Sequence, residues 1–302
     1  TRCSRDWSSD VCSSDLDHIR QKNHKIDNKT AIHLLSHLTD ISKIDDIFSE
    51  KDRQFNDEEV NEIIYRSNNT NFQTNLDYLG SKNLNNLSDD DVNNIIHVFS
   101  RQHDTTKLKI FSLSLIKYKE LTSGNVYSIL YYNLEKLEYE IVKQLGDNLN
   151  KLESHHLPQL YKLALFRGSI TYKIVIKLLK EYNIWDKINS NDIRLCFDAM
   201  PERDESSYGY IDTKVEIEKL AKMIGTKNLK KMSEADMILL FQFDTNKNIV
   251  FYFVNNCKIF DRSAFTDKVA QTIVQSRSRY LTHDEMNQVA ETLRENGYRI
   301  FI

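Results

Sequence analysis

Hydrophobic positions along this 302-residue chain recur in one figure: an apolar residue, a helix-capping residue, then apolar residues at helical spacing. It reads Phe55-Asn56…Val60…Ile63-Ile64, Leu87-Ser88…Val92…Ile95-Ile96, Leu121-Thr122…Val126…Ile129-Leu130 and Leu152-Glu153…Leu157…Leu160-Tyr161. It continues as Ile188-Asn189…Ile193…Cys196-Phe197, Met232-Ser233…Met237…Leu239-Leu240 and Leu281-Thr282…Met286…Val289-Ala290. Successive figures open 32, 34, 31, 36, 44 and 49 residues apart. A period in the thirties predicts one helix pair per repeat, because neither amphipathic helix buries its stripe alone. The predicted fold is all-α, an α-solenoid of about eight stacked helix-turn-helix repeats.

The Leu87 repeat illustrates the local argument. Ser88 caps, and Asp89, Asp90 and Asp91 sit at the positive end of the helix dipole. Val92, Ile95, Ile96 and Phe99 form one face; a turn near His103-Asp104-Thr105 leads to a second helix with Leu108, Phe111 and Leu115. A weaker unit opens at Ile26-Asp27, with Leu34, Leu35 and Leu38, then Ile41, Ile44, Ile47 and Phe48. A degenerate unit near Phe260-Asp261, with Phe265, Val269 and Ile273, divides the 49-residue gap. A polar insertion is predicted at residues 201–209. Pro158 falls in a first helical turn, where its missing N–H costs little. Residues 297–302 read as a strand-like tail after a helix, and as the possible start of a further domain.

Residues 1–16 resemble a translated sequencing adapter, especially Asp10-Val11-Cys12-Ser13-Ser14-Asp15-Leu16. They are set aside as an artefact, which leaves residues 17–302 as one predicted solenoid domain. On that reading the native N-terminus is missing and no targeting segment can be read. Composition then narrows the picture. Seven glycines and two prolines are too few for the turns of βαβ or all-β folds. No apolar run approaches the roughly 18 residues of a membrane span. Cys196 and Cys257, the cysteines left after residue 16, lie in apolar helical settings and predict buried, reduced thiols.

Candidate chemistry is sparse. His33 and His37 are spaced i, i+4 without an accompanying carboxylate or cysteine, and read more readily as a helix face than as metal ligands. His155 and His156 are adjacent and predicted to point apart. There is no phosphate loop and no nucleophile elbow. Acidic pairs such as Asp45-Asp46 read as solvated helix starts. The expectation is therefore a protein that is not an enzyme, with no cofactor and no metal.

Charge is uneven. The total is −3, or −2 without residues 1–16. Residues 40–62 carry a net −6, whereas residues 162–187 and 214–231 each carry +4. Lys173, Lys177 and Lys180 follow i, i+4, i+7 and share one helix face, either a phosphate-neutralising row or an ordinary solvated one. A second row comes from the repeat register. The position five after the central apolar residue is Tyr65, His97, Tyr131, Lys162, Asp198, Gln242 and Glu291; the slot just after that residue includes Asn61, Asn93, Tyr127, Arg194 and Asn287. Variable polar residues at a fixed repeat position suit a ligand-reading surface and equally suit plain solvent exposure. The candidate RNA-binding residues are Asn93, His97, Tyr127, Tyr131, Lys162, Lys173, Lys177, Lys180, Arg194, Lys219 and Lys222. If Lys173, Lys177, Lys180, Lys219 and Lys222 converge on one concave groove with the first-helix polar row, direct RNA binding gains; if they scatter over the convex face, a scaffold role gains.

The segment Leu-Ser-Asp-Asp-Asp-Val-Asn-Asn-Ile-Ile-His-Val-Phe-Ser at 87–100, with its fellows at 121, 152, 188 and 281, resembles organellar helical-repeat RNA-binding proteins. These are the heptatricopeptide-repeat proteins that often carry a RAP domain and the FAST-kinase-like leucine-rich domain. The segment also resembles the helical domain of RNA-editing substrate-binding complex subunits. The resemblance spans roughly residues 26–296, and no RAP domain is visible. It implies a non-catalytic mitochondrial protein that binds transcripts or ribosomal RNA fragments, alone or with other subunits of a processing complex, and no membrane. The alternative it leaves is a protein–protein scaffold subunit of a mitochondrial ribosome or RNA-processing complex.

Overall fold

The computed structural model describes residues 27–37, 53–136, 138–167, 169–201, 205–206, 209–210, 212–242, 245–275 and 281–301. The adapter-like segment, Leu38 and the stripe Ile41, Ile44, Ile47 and Phe48 lie outside the described residues, as do the acidic residues 40–52. The described residues fall into two compact units divided between Asn148 and Leu149.

Helices account for most of the described residues of both units. The first holds α1 (Asn28–His37), α2 (Asp57–Arg66), α3 (Phe72–Leu84), α4 (Asp89–Arg101), α5 (Thr105–Tyr118), α6 (Ser123–Glu135) and α7 (Tyr139–Leu145). The second holds α8 (Leu157–Phe166), α9 (Ser169–Glu181), α10 (Ser190–Asp198), α11 (Thr213–Ile224), α12 (Thr226–Leu229), α13 (Glu234–Gln242), α14 (Lys247–Asn255), α15 (Asp267–Gln275) and α16 (His283–Glu295). Among the described residues the only strands are β1 (Glu205–Ser206) and β2 (Gly209–Tyr210), an antiparallel pair that starts in the predicted insertion and ends one residue past it. The rest of that insertion beyond Pro201 lies outside the described residues.

The helices start where the recurring figure says they should, because its second residue is the cap. Asn56 accepts from Glu59 N–H at 2.9 Å, Ser88 from Asp91 at 3.1 Å and Thr122 from Asn125 at 3.2 Å. Asn189 accepts from Asp192 at 2.9 Å and Ser233 from Asp236 at 3.1 Å. Each bond satisfies one of the orphan N–H groups of a helix start. The Leu152 repeat differs. A 3₁₀ turn at Ser154–His156 precedes α8, and the Glu153 N–H donates to His156 Nδ1 at 3.2 Å.

Within each unit the pairs stack in two layers, the arrangement of an α-solenoid. In the second unit α8, α10, α13 and α15 pack in sequence as the first layer, and α11, α14 and α16 pack in sequence in the second. In the first unit α4 packs on α6, while α3, α5 and α7 form the second layer. Stripe residues Val60, Ile63, Ile64, Val92, Ile95, Ile96, Val126, Ile129 and Leu130 are all buried. Cys196 and Cys257 are free, buried thiols.

Two details of register need correction. In the Met232 repeat the buried pair is Leu240-Phe241, and Leu239 is 45 % exposed. That restores the spacing of the other repeats. The figure at Leu281-Thr282 opens α16, a second-layer helix on α14; the first-layer helix before it is α15, from the weak unit at Phe260. Asn287 and Glu291 therefore do not belong to the first-layer row. The tail is not a strand: Phe301 exchanges two hydrogen bonds with the Gln271 amide, at 2.8 and 2.9 Å, and lies along α15.

Lysines tie successive repeats together. Lys119 Nζ donates to the carbonyls of Asn85 and Leu87 at 3.3 and 2.8 Å. Lys187 reaches those of Asn150 and Leu152, at 3.1 and 3.5 Å; Lys231 reaches those of Asp186 and Ile188, at 3.4 and 3.2 Å. Each ammonium grips the carbonyl of the apolar residue that opens the preceding figure. Lys119→Met keeps the aliphatic stem and removes both bonds. It is expected to lower the unfolding free energy by about 1 kcal/mol, given the half-exposed site. A urea titration followed by circular dichroism reads this, and a midpoint equal to wild type would show the clasp to be idle.

Candidate nucleic-acid interface

The first-layer polar row of the first unit lies on α2, α4 and α6, and most of it bonds between repeats. Asn61 donates to Asp91 Oδ1 at 2.9 Å, and Asn93 Oδ1 accepts from Ser128 at 2.6 Å. His97 Nδ1 lies 2.8 Å from the Tyr132 hydroxyl, with ring centroids 5.7 Å apart. Tyr132 packs on Tyr131 at 5.3 Å, and Tyr131 on Tyr127 at 5.6 Å. Burial first, then the neighbouring phenols, push the Tyr127 hydroxyl up to about 12. Asn93, His97, Tyr127 and Tyr131 are thus brought together, in a partly buried cluster that holds α4 against α6.

The second unit treats its row differently. Lys162 on α8 is exposed and has no ion pair among the described residues. Arg194 is committed: its guanidinium meets Asp198 at 2.6 Å, Asn191 at 2.8 Å and Asp236 at 3.7 Å. Burial raises the Asp198 carboxyl despite the nearby guanidinium, which opposes it. Ser190 donates to the same Asp236, and Ser233 does so at 2.6 Å. Here too the row joins α10 to α13.

The lysines stand on the second layer. Lys173, Lys177 and Lys180 are exposed along α9 and carry no ion pair among the described residues. On α11, Lys219 is bound to Glu216 at 2.6 Å and lies 6.0 Å from the Tyr172 ring of α9. Lys222 is exposed and has no ion pair among the described residues. The candidates therefore do not converge on one groove: Lys162 and Arg194 belong to the first layer, and the lysines of α9 and α11 to the second. Lys187 and Lys231 counted toward the basic stretches, but the clasps engage them.

Sequence reasoning missed the clasps. Their signal is a lysine one or two residues ahead of the apolar–cap pair, at Lys119, Lys187 and Lys231. It also missed buried amides such as Asn75, which donates to Leu35 O at 2.8 Å and Ser67 Oγ at 2.7 Å. His155 and His156 do not point apart; their rings lie 3.9 Å from one another. The side chain of His37 lies outside the described residues. Among the described residues no three His, Cys, Asp or Glu side chains are grouped to hold a metal, and no helix is long and apolar enough to cross a membrane. No protein-family model, curated protein or solved structure matches the chain.

Proposed function

We propose that this chain is a non-catalytic RNA-binding helical-repeat protein of mitochondrial RNA metabolism, holding RNA by its phosphates along the second layer of its second unit. The observation that carries this reading is the row Lys173, Lys177 and Lys180, three exposed ammonium groups on one face of α9 with no carboxylate partner among the described residues. Lys222 extends the charge to α11. The mitochondrial setting follows the family resemblance. The first-layer row contributes packing between repeats in this reading, since Asn93, His97 and Arg194 already have partners. That engagement, and the separation of the lysines from the row, favours a second reading: a scaffold subunit with no direct RNA contact.

The test is fluorescence anisotropy of the full chain with a single-stranded uridine decamer and with ribosomal RNA fragments, titrated with salt. Three or four phosphate contacts give a log–log slope of about −2 to −3. Lys173/Lys177/Lys180→Glu is expected to abolish binding with the helical signal unchanged. Equal binding by the triple variant would overturn the proposed row. No binding at low salt would leave the scaffold reading, with the partner to be sought by pulldown.

A further inference from the structure

On the same second layer, α11 and α14 enclose a groove of about 280 Å³. Ile217 forms its buried floor and the half-buried rings of Phe251 and Tyr252 line it. Lys214, Glu218 and Asn255 stand at its exposed edges. Tyr252 is held in place by stacking on Phe197, with centroids 6.3 Å apart and planes at 27°. Burial, then the Glu218 charge, push its phenol up, so the ring remains a neutral wall.

The lining selects among ligands. Aromatic rings in a slot this small suit a flat heteroaromatic body. Glu218 has no ion pair among the described residues, and an ionised carboxylate only accepts, so the ligand edge facing it must donate. Asn255 can donate and accept, and Lys214 supplies a cation for a phosphate. A purine or pyrimidine nucleotide combines these features: a π-face, a hydrogen-bonding edge and an attached phosphate. Among the bases guanine offers two parallel N–H donors, the pattern that a carboxylate accepts in bidentate fashion.

We infer that the α11–α14 groove is a nucleobase pocket that takes one unstacked base of a single-stranded RNA, guanine in preference to the others. This rests on the RNA-binding reading above and adds base selection to it. Base stacking on an aromatic side chain is worth about 10- to 100-fold in affinity.

The experiment compares uridine decamers whose central base is G, A, C or U, together with free guanosine and uridine 5′-monophosphate monitored by tyrosine fluorescence. Wild type is expected to bind the G decamer about 10-fold more tightly than the all-U decamer, and guanosine monophosphate in preference to uridine monophosphate. Glu218→Gln, an exposed change compatible with folding, is expected to cut that preference below about 3-fold. Phe251→Ala is expected to weaken all four decamers about 10-fold. If all four bind alike and both variants match wild type, the pocket is overturned and the phosphate row stands. If no decamer binds but guanosine monophosphate still quenches in preference to uridine monophosphate, the pocket stands and the RNA reading falls. If neither decamers nor nucleotides bind, both fall.

Discussion

Replacing Phe253 with alanine is expected to lower the unfolding free energy of the second unit by about 4 kcal/mol. Phe253 on α14 is fully buried. Its ring lies 5.0 Å from Phe197 on α10, 5.3 Å from Phe241 on α13 and 5.2 Å from Phe260. The first two meet it edge-on, and Phe260 lies parallel at 5°. One side chain thus joins a second-layer helix to two first-layer helices and to the opening residue of the next repeat. Truncation removes the transfer free energy of a benzyl group and leaves a cavity among rings that cannot all move inward. Edge-on pairs add roughly 0.5–1.5 kcal/mol each beyond buried area, part of the same loss. Total stabilities are about 5–15 kcal/mol, so this change should place the unit close to its unfolding threshold. In a stack stabilised by nearest-neighbour interfaces, the loss should appear first in hydrogen exchange of α10, α13 and α14. Leu239→Ala is the matched control. Leu239 lies one residue from the buried Leu240-Phe241 pair yet is largely exposed, and should shift stability by less than about 0.5 kcal/mol. Equal losses from Phe253→Ala and Leu239→Ala would refute both the register and the core assignment.

That pair of residues also marks where sequence reading stops. Hydropathy finds a stripe in Met237, Leu239 and Leu240 but cannot separate two adjacent leucines; the burial of Phe241 on Phe253 decides between them. Capping chemistry is local, which explains both its success and its limit. Asn56, Ser88, Thr122, Asn189 and Ser233 cap as expected, because the bond needs only the residue and the N–H three positions on. The same local bond at Thr282 says nothing about layer, so α16 was legible as a helix and not as a second-layer helix. Charge behaves likewise. A sequence gives the sign of Lys187, Arg194 and Lys231, but whether each faces solvent depends on carbonyls and carboxylates that lie 35 to 45 residues away or a single turn away. The lysine face of α9 was legible because it needs only the i, i+4, i+7 spacing of one helix.

The second unit is expected to lose about 3 kcal/mol of stability as pH falls from about 6.5 to about 4, with His156 responsible. His156 occupies the position three residues after the cap, held by Glu59, Asp91, Asn125, Asp192 and Asp236 in other repeats. It is 7 % exposed and its Nδ1 accepts the Glu153 N–H, which requires that nitrogen to be unprotonated. Burial, then the neighbouring His155, hold its pKa down at about 4, against the attraction of Glu153 and Asp192. In the unfolded chain the imidazole titrates near 6.5. Between the two values the unfolded state binds the extra proton and the folded state does not. Stability is therefore complete above about pH 6.5 and declines toward pH 4, below which the folded protein is protonated as well. Asn125 fills the same box in the Leu121 repeat with a side chain that does not titrate, taking the Thr122 N–H at 3.4 Å. His156→Asn should therefore keep the cap and flatten the pH dependence. Urea midpoints measured at half-unit steps from pH 4 to 7.5 compare the two proteins. Curves that converge toward low pH identify His156 as the acid-sensitive group. Curves that stay parallel would mean that the Leu152 repeat does not set the acid limit, and the carboxylates that join α10 to α13 would be next to test, beginning with Asp236→Asn.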